Sequence, residues 1–153
     1  MITKNEIKKI TKTETRTVEI VRKGICEATK LTEDIRNRKP SILVVEDEKV
    51  CAKLLVRCLR KYGLDVDCSY NGKEALDLVA DDESKYSMVL TDISMPVMDG
   101  REMIAKLRQL AYNNSIIAIT GDALSEDVQA VMHVGANEVL GKPVKSTYCI
   151  TSC

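Results

Sequence analysis

The chain has 153 residues, 44% of them hydrophobic, which is enough for one domain with flanking segments. Since it contains no Trp and no Phe, the core must consist of Leu, Ile, Val, Ala and Met. The longest apolar runs are about five residues, far short of the roughly 20 that span a membrane. The N-terminal MITKNEIKKI lacks the apolar stretch of a secretory signal. We therefore expect no membrane segment in this chain and a cytoplasmic location, with the nucleus as the alternative.

Positive and negative charges balance overall but are unevenly distributed. Residues 1–40 contain 11 Lys and Arg and 6 Asp and Glu, whereas residues 41–153 contain 12 and 17. This change predicts a domain boundary near Lys39-Pro40, with residues 1–40 as a basic flanking segment that is partly helical. Such a segment can contact nucleic acid, but no aromatic residue is interleaved with its charges. We therefore interpret it as a solvated linker and expect no nucleic-acid partner.

The cysteines and the single histidine do not indicate a zinc site. The six cysteines form no CxxC pair, and His133 is the one histidine. Cys51, Cys58 and Cys68 follow the apolar pattern of their segments, so we interpret them as small core residues in a reducing compartment. His133 is expected on a helix surface.

From Ser41 onwards, short apolar strands alternate with amphipathic helices. The predicted strands are residues 41–45, 64–68, 87–92, 115–120 and 138–140, and the predicted helices are residues 48–61, 73–80, 101–111 and 125–134. Glycines or Asn-Gly end several of these elements, and Ser125 is a candidate N-cap. Strict alternation with continuous apolar strands predicts a parallel sheet with helices on both faces.

Polar residues follow four of the predicted strands, and the parallel sheet would bring them to one edge. These residues are Glu46 and Asp47, then Asp92, Thr120 and Lys142. Three close carboxylates repel one another, and a hard divalent cation with oxygen ligands offsets that repulsion. Mg²⁺ suits a site with one or two carboxylates and a phosphate. The sequence therefore predicts a magnesium site that handles a phosphoryl group.

Asp92 is the candidate nucleophile, because carboxylates form acyl phosphates and also bind metal. Lys142 would supply a positive charge to the phosphate, and Thr120 a hydroxyl donor. Gly121 leaves room for the phosphate. After Asp92, Pro96 and Gly100 fix a turn in which the Ser94 backbone carbonyl can face the metal. Asp99 with Gly100 is interpreted as the start of a helix.

Four segments together resemble the receiver (response-regulator) domain of two-component phosphorelays, in particular receivers of eukaryotic or hybrid histidine kinases. The segments are ILVVEDE at 42–48, LTDISMPVMDG at 90–100, IIAITGDAL at 116–124 and GANEVLGKPV at 135–144. The resemblance covers residues 41–144. It implies a flavodoxin-like (βα)₅ three-layer fold with strand order 2-1-3-4-5.

The resemblance also implies phosphorylation of Asp92 by a histidine kinase or histidine phosphotransfer protein. Mg²⁺ would be held by Glu46 or Asp47, by Asp92 and by the Ser94 carbonyl, with Thr120 and Lys142 at the phosphoryl group. In this family the Lys142–Pro143 bond is usually cis. The domain would be a signalling switch, on its own or within a hybrid histidine kinase, and not a metabolic enzyme.

Two features depart from the family pattern. Val139 stands where an aromatic switch residue is common, so Thr120 and the following loop would have to carry the signal. The tail, residues 145–153, lacks the stripe of the expected last helix, so that helix is predicted to be short or missing.

Two alternatives to a working receiver differ in what they would do at Asp92. A degenerate receiver would act only as a binding module. A phosphatase similar to the haloacid dehalogenases would also use an Asp nucleophile and Mg²⁺. Such phosphatases have a second Asp two residues after the nucleophile, where this chain has Ser94.

Overall fold

The computed structural model describes residues 41–121 and 125–142, which form five strands and four helices in strict alternation. The elements are β1 Ser41–Val45, α1 Lys49–Lys61, β2 Asp65–Ser69, α2 Gly72–Asp81, β3 Tyr86–Asp92, α3 Gly100–Gln109, β4 Ser115–Thr120, α4 Ser125–His133 and β5 Glu138–Gly141. The flanking segment 1–40, the C-terminal tail where the last helix is predicted to be short or missing, and the Lys142–Pro143 bond lie outside the described residues. None of the helices in the described ranges is long and apolar enough to cross a membrane.

The five strands form one parallel sheet in the order β2-β1-β3-β4-β5, which is the order that the resemblance to receiver domains implies. Val45 at the end of β1 is opposite Thr91, and Asp92 is opposite Ile119. Thr120 is opposite Gly141 at the end of β5. The register therefore brings the carboxyl ends of four strands to one edge of the sheet, where the polar residues lie.

Two apolar clusters hold the layers together, one on each face of the sheet. The cluster under α1 contains residues such as Val44, Leu59 and Leu90. The larger cluster lies under α2, α3 and α4, and includes Val79 and Leu107. Since β1 is covered on both faces, every one of its residues is buried, which explains why ILVV after Ser41 is continuously apolar.

The cysteines and histidine of the described ranges occupy the positions that the sequence pattern predicts. Of the three described cysteines, Cys51 is buried, and Cys58 and Cys68 are half-buried. His133 is exposed at the end of α4. None of the four is part of a cluster that could hold a metal in the described part of the chain.

Helix starts differ in detail from the sequence interpretation. α1 begins at Lys49, so the acidic residues 46–48 precede the helix and do not lie in its first turn. α4 begins at Ser125, as predicted, and the role of Ser125 as a cap stays a prediction. Asp99 does cap α3, because its carboxylate accepts a hydrogen bond from the Glu102 amide at 2.9 Å. The interpretation of Asp99 as the start of a helix is confirmed.

Arg108, in the last turn of α3, joins three parts of the chain at the opposite edge of the sheet. Its guanidinium donates hydrogen bonds to the Gly135 carbonyl oxygen at 2.9 Å, to the Asn114 carbonyl oxygen at 2.9 Å and to Asn137 Oδ1 at 2.7 Å. Asn137 in turn accepts from the Ile116 amide at 2.8 Å. Arg108 therefore fixes the loops that lead into β4 and β5.

Candidate functional site

The three predicted acidic residues lie together at the carboxyl edge of the sheet. Glu46 and Asp47 follow β1, and Asp92 ends the neighbouring strand β3. One oxygen of each of the three carboxylates lies within 4.8 Å of the others. Glu46 and Asp92 are buried, with 4% and 3% of their surface exposed, while Asp47 is half-buried. Parallel pairing of β1 with β3 therefore creates a concentrated negative charge that water only partly screens.

Lys142 forms a buried ion pair with Asp92. Its Nζ lies 2.6 Å from Asp92 Oδ2, and the two side chains are 12% and 2% exposed. The Lys142 amide also donates to the Thr120 carbonyl oxygen at 2.6 Å, which holds Lys142 to the end of β4. From there the side chain extends past β4 to reach Asp92 on β3. The sequence predicts that Lys142 lies near a phosphoryl group. It does not predict the direct ion pair between Lys142 and Asp92, which the structure adds.

The remaining predicted residues surround Asp92. Thr120 is buried at the end of β4, which lies between β3, the strand that carries Asp92, and β5, the strand that Lys142 follows. The Ser94 amide donates to Asp92 Oδ1 at 3.3 Å, and Thr91 Oγ1 donates to the Asp92 carbonyl oxygen at 2.8 Å. These contacts fix the Asp92 backbone and one of its carboxylate oxygens. The role of the Ser94 carbonyl toward a metal stays a prediction.

Gly121 does not occupy a position that sterically requires glycine. A Cβ added there would lie 3.8 Å from Lys142 Cδ, which is an ordinary van der Waals contact. The expectation that its small size leaves room for a phosphate therefore stays a prediction as well.

The loop after Asp92 turns tightly and closes on the Asp92 backbone. The Met98 amide donates to the Pro96 carbonyl oxygen at 2.8 Å, and Val97 between them has φ 71°, which is a strained γ-turn for a β-branched residue. The Gly100 amide then donates to the Ile93 carbonyl oxygen at 2.9 Å. The sequence predicts the turn itself, but not the positive φ at Val97.

Gly100 is at a position where no side chain fits. A Cβ on Gly100 would lie 2.4 Å from the Asp92 carbonyl oxygen and 2.9 Å from Ile93 Cα. Both neighbours are backbone atoms, so no rotamer change relieves the contact. The start of α3 is therefore packed directly against the residue that carries the candidate nucleophile.

The donor set fits a hard divalent cation. All three clustered side chains are carboxylates, and with the Lys142 ammonium beside them the group has a formal charge of −2. Oxygen ligands and a net negative charge suit Mg²⁺, whereas zinc sites usually include nitrogen or sulfur ligands. The geometry thus brings together a metal-binding acidic group, a buried carboxylate and a cation in one pocket.

Comparison with known proteins identifies the family of this fold and site. A family model described as the response regulator receiver domain matches residues 42–151. The chain belongs to the response regulator receiver family. The resemblance that the four sequence segments indicate is therefore confirmed, and so is the flavodoxin-like fold.

Two curated proteins and one solved structure illustrate the similarity of this receiver to its family. It is 35% identical over 108 residues to "Transcription factor SKN7" of Chaetomium thermophilum, covering 71% of this chain and 14% of that protein. It is also 35% identical over 108 residues to "Hybrid signal transduction histidine kinase M" of Dictyostelium discoideum, covering 67% of this chain and 4% of that protein. The chain therefore spans only a small part of either relative.

The similar solved structure is the response regulator protein TrrA from Thermotoga maritima in complex with Mg(2+)-BeF. Its sequence is 30% identical, its TM-score is 0.60, and the match covers 67% of this receiver and 86% of that chain. The similarity therefore extends over nearly the whole of a receiver domain.

Proposed function

We propose that this receiver accepts a phosphoryl group from a phosphohistidine donor onto Asp92, and that the resulting acyl phosphate switches its interactions with partners. The position of Asp92 is the main observation that supports this proposal. Its carboxylate is buried at the end of a central strand, lies beside two more carboxylates, and is paired with Lys142 at 2.6 Å. A carboxylate in such a pocket is suited to nucleophilic attack on phosphorus.

The transfer follows from the residues in the pocket. An Asp92 carboxylate oxygen attacks the phosphorus of the donor, a P–O bond forms, and the P–N bond to the donor imidazole breaks. The imidazole nitrogen keeps the electron pair and takes a proton from solvent. Lys142, which now contacts Oδ2 of Asp92, is the cation closest to the new phosphoryl group, and Thr120 is the nearby hydroxyl donor. Bound Mg²⁺ would neutralise charge on the phosphoryl oxygens.

Glu46 and Asp47 are the proposed metal ligands, together with Asp92 and the Ser94 carbonyl. Ion binding would relieve repulsion among the carboxylates, so Mg²⁺ should raise the free energy of unfolding. At about ten times the dissociation constant, the gain is about 1.4 kcal/mol. Urea unfolding with Mg²⁺ and with EDTA measures this gain. It should vanish in Asp47→Asn and persist in Asp77→Asn, an exposed site on α2; equal gains in both variants would contradict the assignment.

The partners that suit this chemistry are a histidine kinase or a histidine phosphotransfer protein. We place the receiver at residues 41–144, with residues 1–40 as a basic linker and 145–153 as a tail, either alone or within a hybrid histidine kinase. A cytoplasmic or nuclear location follows from these partners. Beyond its own phosphorylation and dephosphorylation, we propose no catalytic turnover.

The test uses Mg²⁺ and a small phosphoramidate donor, with intact mass as the readout. The expected result is one labile phosphoryl adduct that requires Mg²⁺ and is absent from Asp92→Asn. An adduct that survives in Asp92→Asn would contradict the proposal. Metal binding without an adduct in a folded sample would instead favour a binding module, and continuous hydrolysis of a free phosphate ester would favour a phosphatase.

A further inference from the structure

A basic groove runs between α1 and the edge strand β2, and none of the three clustered carboxylates lines it. Its volume is about 590 Å³, which is in the range of sites that hold a small ligand or a short segment of chain. The groove is lined by Lys53, Val56, Arg57, Arg60, Lys61, Cys68 and Tyr70. Four of these seven residues are basic and none is acidic.

The charge of α1 sets it apart from the rest of the described domain. The helix KVCAKLLVRCLRK contains five basic residues and no acidic residue, although residues 41–153 as a whole have more acidic than basic residues. Lys49, Lys53, Arg57 and Lys61 recur at intervals of four, so they share one face of the helix. None of the ion pairs within the described residues involves any of these side chains.

Helix stability does not account for this basic stripe. Like charges four residues apart disfavour an isolated helix by about 0.2–0.5 kcal/mol per pair. Lys49 is also the first residue of α1, where the helix dipole disfavours a cation. A bound anionic ligand would attract each of these basic side chains and offset the repulsion among them.

The floor of the groove is neutral and partly apolar. Val56 and Cys68 both pack against the core cluster under α1. Burial, together with the nearby Glu46 and Glu74, raises the pKa of the Cys68 thiol, so it is uncharged at neutral pH. At one end the Tyr70 ring is exposed, and Lys49 Nζ lies 5.8 Å from its centroid. Arg60 donates to the Val66 carbonyl oxygen at 2.7 Å, which fixes the wall along β2.

We propose that this groove binds an acidic peptide segment of a partner protein, with carboxylates on the basic stripe and one apolar side chain over Val56 and Cys68. Nucleic acid fits less well, because the groove is concave and its floor offers an apolar surface that a phosphate backbone does not use. The groove lies outside the acidic pocket, so peptide binding should be independent of Asp92. This interaction goes beyond the proposed phosphoryl transfer and can fail separately from it.

The test measures fluorescence anisotropy of a labelled peptide in which glutamates flank one leucine. Lys53→Gln/Arg57→Gln should weaken binding by about tenfold. The matched control Lys73→Gln/Lys106→Gln removes the same charge from α2 and α3 and should change binding less than twofold. Asp92→Asn should bind like the wild type, and a leucine-to-serine peptide should bind more weakly. Urea unfolding confirms that all variants are folded.

Three results would overturn the proposal. The first is no binding of the glutamate peptide at low salt. The second is an equal loss of peptide affinity in Lys53→Gln/Arg57→Gln and in Lys73→Gln/Lys106→Gln, which would show that only the net charge of the protein matters. The third is tighter binding of a short DNA duplex than of the peptide through the same Lys53 and Arg57, which would make the groove a nucleic-acid site.

Discussion

Replacing Gly100 by alanine should destabilise the receiver and disturb Asp92 at the same time. The added Cβ would start 2.4 Å from the Asp92 carbonyl oxygen, whereas ordinary contacts begin at 3.4 Å. The two backbone segments must therefore separate by about 1.0 Å, the difference of these distances. Because Gly100 begins α3 and Asp92 ends β3, this movement occurs at the junction of the fold and the site.

The expected loss combines two opposing effects. Overpacking of this kind costs about 1–3 kcal/mol, and more when only backbone can move. Alanine in place of glycine in a helix regains about 0.5–1 kcal/mol. We expect a net loss of about 2 kcal/mol, a large part of the 5–15 kcal/mol that typically stabilises a domain. With a urea dependence of about 1–3 kcal/mol per molar, the unfolding midpoint should fall by about 1 M.

The assay is urea unfolding of Gly100→Ala alongside Gly121→Ala. In the second variant the added Cβ meets Lys142 Cδ at 3.8 Å, so its stability should stay within about 0.5 kcal/mol of the wild type. Gly100→Ala should also take up less phosphoryl group, because its Asp92 backbone is displaced. An unchanged unfolding midpoint for Gly100→Ala would refute the argument that this turn closes tightly on Asp92.

Three further predictions concern stability. Arg108→Ala removes the guanidinium that donates to three backbone carbonyls, of Tyr112, Asn114 and Gly135, and to Asn137 Oδ1. Urea unfolding should therefore show a loss of about 2–3 kcal/mol, only partly restored in Arg108→Lys. Asp99→Ala removes the cap of α3 and should cost about 1 kcal/mol, whereas the exposed Asp77→Ala should change little; equal losses would contradict the capping role. The Lys85 ammonium lowers the pKa of Asp67, so the stability from this pair is present above about pH 4 and is lost as pH falls through the lowered pKa. Lys85→Gln should therefore be less stable than the wild type by at most about 1 kcal/mol at pH 7, and the difference should shrink as pH falls below about 4.

Element type and order could be predicted from the sequence because each strand is either continuously apolar or strictly alternating. β1 and β4 were predicted at residues 41–45 and 115–120 and have those bounds, while each of the other elements shifts by one or two residues at one or both ends. The approach of Glu46, Asp47 and Asp92 could also be predicted, because parallel strands place their carboxyl ends at one edge. In the described residues, the apolar pattern of the sequence therefore predicts the same strands and helices that the structure contains.

Contacts that depend on side-chain reach could not be predicted in the same way. The bonds from Arg108 to the loops before β4 and β5 join residues up to 29 positions apart, and no periodicity signals them. The Lys142 pair with Asp92 depends on a side chain that crosses a whole strand. The basic charge of the groove could have been predicted from α1, which has five basic residues and no acidic residue, but the second wall of the groove depends on the position of β2.

Phosphoryl transfer from a phosphorylated histidine phosphotransfer protein tests directly whether Asp92 is the phosphoacceptor. The donor, labelled on its histidine, is mixed with the receiver and Mg²⁺, and the label on each protein is followed over time. We expect rapid transfer to the wild type, none to Asp92→Asn, and slower transfer to Lys142→Met, which lacks the cation beside Asp92 Oδ2. Transfer to Asp92→Asn at the wild-type rate, or none to a folded wild type from several such donors, would contradict the role of Asp92 as phosphoacceptor.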